Sequence, residues 1–218
     1  MLKAVVFDRD GVLAYVDVAQ ASAHLTQLQP LSLLDLMKRW QIWGEREGFP
    51  CTLEDEPIFL RRFWLALAAD FALSDQITEQ LIQVNYLDYL RAFDDARPAL
   101  EVARARGLRT GVLSNFALAS LAPSLEVLEL SGAIDVACAA TVIGASKPQP
   151  RAYEIVAAQL GVAPAECLYF DDEPDCVAGA TAVGMRAILI DRTRSSHDLA
   201  RGIACDLTAV EAILAGAD

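Results

Sequence analysis

The chain has 218 residues, 54% hydrophobic and 22% charged, a composition that describes a globular protein with a sizeable core and excludes a disordered one. Its formal net charge of −12 argues against a nucleic-acid surface, because phosphate backbones attract clustered Lys and Arg. No apolar stretch approaches the roughly 20 residues of a membrane span. The first strand-like run, "KAVVF" (3–7), is apolar and β-branched, as befits a strand buried on both faces, and it meets Asp8 too soon to be a signal peptide. From about 15 to 92 the sequence carries helical signals only. Ser32 with Asp35 and Thr52 with Asp55 read as capping boxes, and Ile77, Leu81, Val84 and Leu87 as one apolar stripe. Trp40, Trp43, Phe63 and Trp64 read as the core of that segment, and "EDE" (54–56) as a solvated helix start.

After this interval strands and helices alternate. "PALEVARARG" (98–107) and "PRAYEIVAAQLG" (150–161) open on Pro and close on Gly, the asymmetry expected of helices. "RTGVLS" (109–114), "CLYFD" (167–171) and "RAILI" (186–190) read as strands, with weaker candidates at "DVACA" (135–139) and "GIACD" (202–206). The alternation predicts an α/β fold: a doubly wound, parallel, Rossmann-like core over 1–14 and 93–218, with an α-helical cap over 15–92 inserted after the first strand.

In an open α/β sheet ligands bind beyond the carboxyl ends of the strands. Those ends carry Asp8 and Asp10, Ser114 and Asn115, and Asp171 and Asp172, with Asp175 nearby; Lys147 precedes the helix that leads into the last of these strands. Two carboxylates about 4 Å apart repel by about 4 kcal/mol at an effective dielectric of roughly 20. Several on one rim therefore call for a cation, and an all-oxygen set suits Mg²⁺. With metal and lysine present, a dianionic phosphate can approach a carboxylate that attacks phosphorus, while a second acid two residues along protonates the leaving oxygen and later activates water.

"FDRDGV", "VLSN", "SKPQP" and "YFDDEPD", in that order, resemble the four motifs of the haloacid dehalogenase superfamily, in its phosphatase branches, and the insertion resembles the helical cap of that superfamily's first class. The resemblance implies Asp8 as nucleophile and Asp10 as general acid/base whose backbone carbonyl also binds the metal. It implies Ser114, Asn115 and Lys147 as the phosphate-binding residues. The metal would be held by Asp8, Asp10 and Asp172, with Asp171 acting through water. Related sequences often carry Asn or Asp four residues after the metal-binding acid, where this chain has Cys176.

Taken singly these residues have bland readings: a solvated acidic loop for Asp8 and Asp10, a helix cap for Ser114 and Asn115, a first-turn helix acid for Asp175. Order and spacing favour the chemistry. His24 and His197 have no partner pattern, and Cys176 reads as a packing residue. The five cysteines form no C-x-x-C pair, so a reducing, cytoplasmic setting is expected. The expected activity is Mg²⁺-dependent hydrolysis of a small phosphorylated metabolite through an aspartyl phosphate, with no nucleic-acid or membrane partner. A phosphomutase or a 2-haloacid dehalogenase of the same superfamily is the enzymatic alternative; the dehalogenase needs neither Asp10 nor a metal. A receiver-like phosphorylation module is the non-enzymatic one, disfavoured because its acidic pair precedes the phosphorylated Asp. No G-x-G-x-x-G follows the first strand to support a dinucleotide site.

Overall fold

The computed structural model describes residues 1–216. The strands are β1 (Ala4–Phe7), β2 (Ala14–Val16), β3 (Leu90–Ala92), β4 (Arg109–Ser114), β5 (Val136–Ala139), β6 (Cys167–Asp171), β7 (Arg186–Ile190) and β8 (Ile203–Ala204). The helices are α1 (Val18–Leu28), α2 (Leu33–Glu47), α3 (Glu56–Asp70), α4 (Asp75–Ile82), α5 (Ala96–Ala105), α6 (Leu121–Val127), α7 (Ala140–Ile143), α8 (Pro150–Gln159), α9 (Pro174–Ala182) and α10 (Ala209–Ala215). Short 3₁₀ turns join several of them.

Among the described residues, six strands form one parallel sheet in the order β5-β4-β1-β6-β7-β8. The chain winds outward from β1 in both directions, so the strand order reverses beside it and a crevice opens at the carboxyl ends of β1, β4 and β6. The four residues of β1 are wholly buried, and their alternation feeds two cores. Val5 and Phe7 join α5 and α10 on one face; Ala4 and Val6 join α8 and α9 on the other. This doubly wound α/β core is the expected fold.

The insertion packs on itself. Leu25, Leu28, Leu36, Phe63, Trp64, Leu67 and Leu81 form a separate apolar cluster with Trp40 and Trp43 against it. Ser32 accepts from the amide of Asp35 at 3.1 Å, and Ser74 caps α4 through the amide of Ile77. Neither pair of predicted capping boxes closes in full: the Ser32 and Thr52 hydroxyls donate to the carboxylates of Asp35 and Asp55, each at 2.7 Å, instead of leaving those carboxylates to reach back to the backbone. The stripe also divides, because α4 stops at Ile82; Val84 stays with the cap cluster while Leu87 packs against the main core. The interval is not wholly helical either. Its two ends meet as an antiparallel ribbon, β2 against β3, so both connections leave the core side by side.

All five cysteines are free, and no helix among the described residues is long and apolar enough to cross a membrane.

Candidate active site

Strand β1 ends into a tight loop that carries Asp8, Arg9, Asp10 and Gly11. The Asp8 amide still bonds to Phe170 of β6 at 2.8 Å, which fixes the side chain over the crevice, and its Oδ1 accepts from the Arg9 amide at 2.7 Å. Lys147, from the loop before α8, places Nζ 2.9 Å from Asp8 Oδ1 and 2.8 Å from Asp171 Oδ2. All three groups are almost fully buried. Burial pushes the Asp8 carboxyl up to about 7; Lys147 opposes that rise, while Asp171 and Asp10 add to it. Burial also works against the charge of Lys147, but Asp8 and Asp171 outweigh it and hold the ammonium above its ordinary value.

Asp171 ends β6 with no exposed surface. It accepts from Lys147, from the Tyr169 hydroxyl, and from the Glu173 amide at 2.9 Å, so its oxygens are engaged by the protein. Asp172 is exposed and leans across the first loop, where a Cβ at position 11 would lie 2.1 Å from its Oδ2. Gly11 is thus required twice, for its φ of +77° and for the space its hydrogen leaves. Carboxylate oxygens of Asp8, Asp171 and Asp172 lie within 4.8 Å of one another. Three carboxylates beside one ammonium leave an excess of negative charge that a divalent, oxygen-preferring cation would neutralise, so the donor set fits Mg²⁺. Cys176 does not join it: the thiol is buried and donates to Glu173 Oε2 at 3.1 Å. Asp175 sits in the first turn of α9, and is absent from the clustered carboxylates.

Ser114, at the end of β4, is buried and faces a cavity of about 220 Å³ whose lining also includes Asp8, Asp10, Asn115, Phe116, Lys147 and Glu173. Asn115 borders the same cavity, and its side chain also braces the lysine loop. Its Oδ1 accepts from the Lys147 amide at 2.8 Å and its Nδ2 donates to the Lys147 carbonyl at 3.0 Å, so its side chain clamps the lysine loop. No residue of the insertion lines the cavity, whereas cap side chains around the site would have placed some there.

Arg9 lies between the two motif aspartates without belonging to any predicted role. Its guanidinium is buried, lies 4.0 Å from the centre of the Phe116 ring, bonds Ser124 Oγ at 2.9 Å and grips Asp10 through Nε and Nη2, the latter at 2.9 Å. Asp10 therefore borders the cavity with its carboxylate turned to an arginine, outside the clustered carboxylates. Arg192 likewise belongs to no predicted role. It donates to the Gly11 and Val12 carbonyls at 3.1 and 2.6 Å, pairs with Asp95, and covers the Phe93 ring at 3.5 Å, bracing the first loop against the return of the insertion. His24 bonds the Tyr89 hydroxyl at 2.6 Å. His197 groups with Cys205 and Asp206, but its Nδ1 accepts from the Cys205 amide at 3.1 Å, a structural bond that occupies the ring lone pair.

A family model described as hydrolase, haloacid dehalogenase-like hydrolase, matches residues 2–184. The chain belongs to the haloacid dehalogenase-like hydrolases. It is 40% identical over 218 residues to "Phosphatase MT3486" of Mycobacterium tuberculosis (strain CDC 1551 / Oshkosh), spanning 99% of this chain and 98% of that protein. Among solved structures it resembles a 2-haloacid dehalogenase from Pseudomonas syringae pv. Tomato DC3000, with a TM-score of 0.70 and 22% identity over the whole of both chains. A phosphatase of this family from Thermococcus onnurineus superposes with a TM-score of 0.66 at 24% identity, covering 99% of each chain. The two structural likenesses speak for the shared fold. As a haloacid dehalogenase-like hydrolase, the chain carries each of the four expected motifs on one crevice rim.

Proposed function

We propose that the protein is a phosphatase that hydrolyses a small phosphomonoester through an aspartyl phosphate on Asp8. The observation that carries this reading is the crowding of Asp8, Asp171 and Asp172 with Asp10 two residues from the nucleophile. A dehalogenase has no need of clustered carboxylates or of a second acid. The phosphatase name of the mycobacterial relative agrees.

Asp8 and Asp172, with the Asp10 backbone carbonyl and with Asp171 acting through water, would hold Mg²⁺, which supplies the positive charge a dianionic phosphate needs to approach a carboxylate. Lys147 favours the ionised form of Asp8 and aims it, and faces the incoming phosphate together with Ser114. An Asp8 oxygen attacks phosphorus and the bond to the ester oxygen breaks. Asp10, released from Arg9, gives that oxygen its proton. It then takes a proton from a water that attacks the aspartyl phosphate, which frees inorganic phosphate and restores the Asp8 carboxylate. The free cysteines suit a reducing, cytoplasmic setting.

The test is a screen of the purified protein against phosphorylated metabolites and 2-haloacids, with Mg²⁺ and with chelator. Metal-dependent phosphate release from a small ester is the expected result. Faster release of halide than of phosphate would assign the dehalogenase reaction, and transfer of phosphate between positions of one substrate the mutase reaction.

A further inference from the structure

Glu54 and Asp55 are exposed, as a solvated helix start demands, but Glu56 is not. It is 6% exposed, and a buried carboxylate needs full hydrogen bonding to be tolerated. Its partners lie in the core. Oε2 accepts from the Ser120 amide at 2.9 Å and Oε1 from the Ser120 hydroxyl at 2.6 Å. Ser120 Oγ is also 2.7 Å from the hydroxyl of Tyr86, which sits where the insertion returns to the core, and the Tyr86 ring packs on Phe116 at 5.4 Å. Phe116 carries the Arg9 guanidinium, and Arg9 holds Asp10. The Arg9 charge also bears on the Tyr86 hydroxyl. Ser120 ends the segment that begins with Asn115, Phe116 and Ala117, three residues lining the cavity. A continuous set of contacts therefore runs from the first turn of α3 to the carboxylate of Asp10.

We propose that Glu56 is a positioning residue which seats the inserted helices on Ser120 and, through Tyr86, Phe116 and Arg9, sets where Asp10 and the 115–120 segment stand. The cap then acts on the chemistry without lining the cavity: its seat is read at the proton-transferring side chain. This rests on the reading of Asp10 as acid/base.

The experiment compares Glu56→Ala and Glu56→Gln with the natural protein on two esters, an alkyl phosphate and an aryl phosphate with a good leaving group, alongside amide hydrogen exchange of the 115–120 segment. A good leaving group needs little protonation, so displacement of Asp10 lowers kcat for the alkyl ester more than for the aryl ester. The expected result for Glu56→Ala is a fall of about tenfold in the alkyl-to-aryl kcat ratio, a part of the full general-acid effect, with faster exchange at Ser120. Gln can still bond both Ser120 groups and should restore both readouts. Loss of folded protein alone would lower both rates together and leave the ratio unchanged. Should Glu56→Ala fail to fold, Tyr86→Phe interrupts the same contacts and should lower the ratio in the same direction. An unchanged ratio, or unchanged exchange, overturns the proposal. If the natural protein hydrolyses neither ester, the phosphatase reading fails by itself, and exchange in Glu56→Ala still decides whether Glu56 orders the segment.

Discussion

The Nζ of Lys147 lies 2.9 Å from Oδ1 of Asp8, and neither side chain is more than 9% exposed. A buried ion pair of this kind is sensitive to the loss of one member, because the partner charge is left without compensation. Lys147 here serves two acids, Asp8 and Asp171. Lys147→Met should therefore lower stability at neutral pH by about 3–5 kcal/mol and abolish turnover. The stability defect should shrink as pH falls and Asp8 takes up its proton. Urea unfolding at several pH values measures it, and a defect independent of pH would mean that packing, not charge, is the role of the lysine.

Asp8 gives a prediction of opposite sign. Its carboxyl rises from an ordinary 3.8 to about 7, chiefly through burial. Between those values the folded chain holds a proton that the unfolded chain releases, so the metal-free protein loses stability as pH rises through this window. Asp8→Asn removes the burden of a buried charge. In chelator at pH 8 it should be more stable than the natural protein, by about 1–3 kcal/mol once screening and relaxation are allowed for, and near pH 4 the two should match. Added Mg²⁺ should reverse the order, since only the natural protein offers the Asp8 carboxylate. Thermal unfolding with and without metal tests both halves, and turnover by Asp8→Asn would contradict the nucleophile assignment.

Much of this site could be read from the sequence, for a physical reason. Strands of a parallel sheet covered by helices are mostly apolar, so 109–114, 167–171 and 186–190 show their full extent as runs. Their carboxyl ends then carry the polar residues directly. Helix α5 starts at Ala96, two residues before Pro98, because proline is accepted throughout a first turn whose amides lack partners. Strands β2 and β3 have three residues each and exist through pairing with one another across the insertion, which no local pattern records. Arg9 carries no local signal; its contacts with Phe116 and Ser124 depend on a fold that brings positions distant in the chain together. Glu56 was hidden by its company, since an acidic run does not say which member faces inward.

Gly11 tests the metal side of the site without touching a ligand. A methyl group there meets Asp172 Oδ2 at 2.1 Å and strains a backbone with φ of +77°. Gly11→Ala should displace the Asp172 carboxylate and cost about 1–3 kcal/mol in strain. The Mg²⁺ concentration for half-maximal activity should rise by about tenfold or more, as for other supporting changes around metal ligands, while excess metal recovers part of the rate. A Mg²⁺ requirement left as in the natural protein would show that Asp172 is not needed at its present position.

Cavity size sets the last expectation. The space above Asp8 is about 220 Å³ and is bounded by Asp10, Phe116 and Glu173, with Glu56 seating the inserted helices on the adjoining Ser120. This is below the roughly 300–1,000 Å³ of drug-sized ligand sites, so it suits a phosphate with a short organic group. A phosphorylated side chain on a folded protein would have to reach into this space while its backbone stays outside it. Small esters should therefore exceed a folded phosphoprotein in kcat/KM by at least about a hundredfold, a discrimination within reach of steric and contact differences. Glu56→Ala should narrow that gap if the seated helices are the barrier, and leave it if the walls of the cavity suffice. Comparing phosphate release from the two substrate types, in the natural protein and this variant, measures both. Equal efficiency on both substrates in the natural protein would show a site open to macromolecules, with the chemistry at Asp8 unaffected.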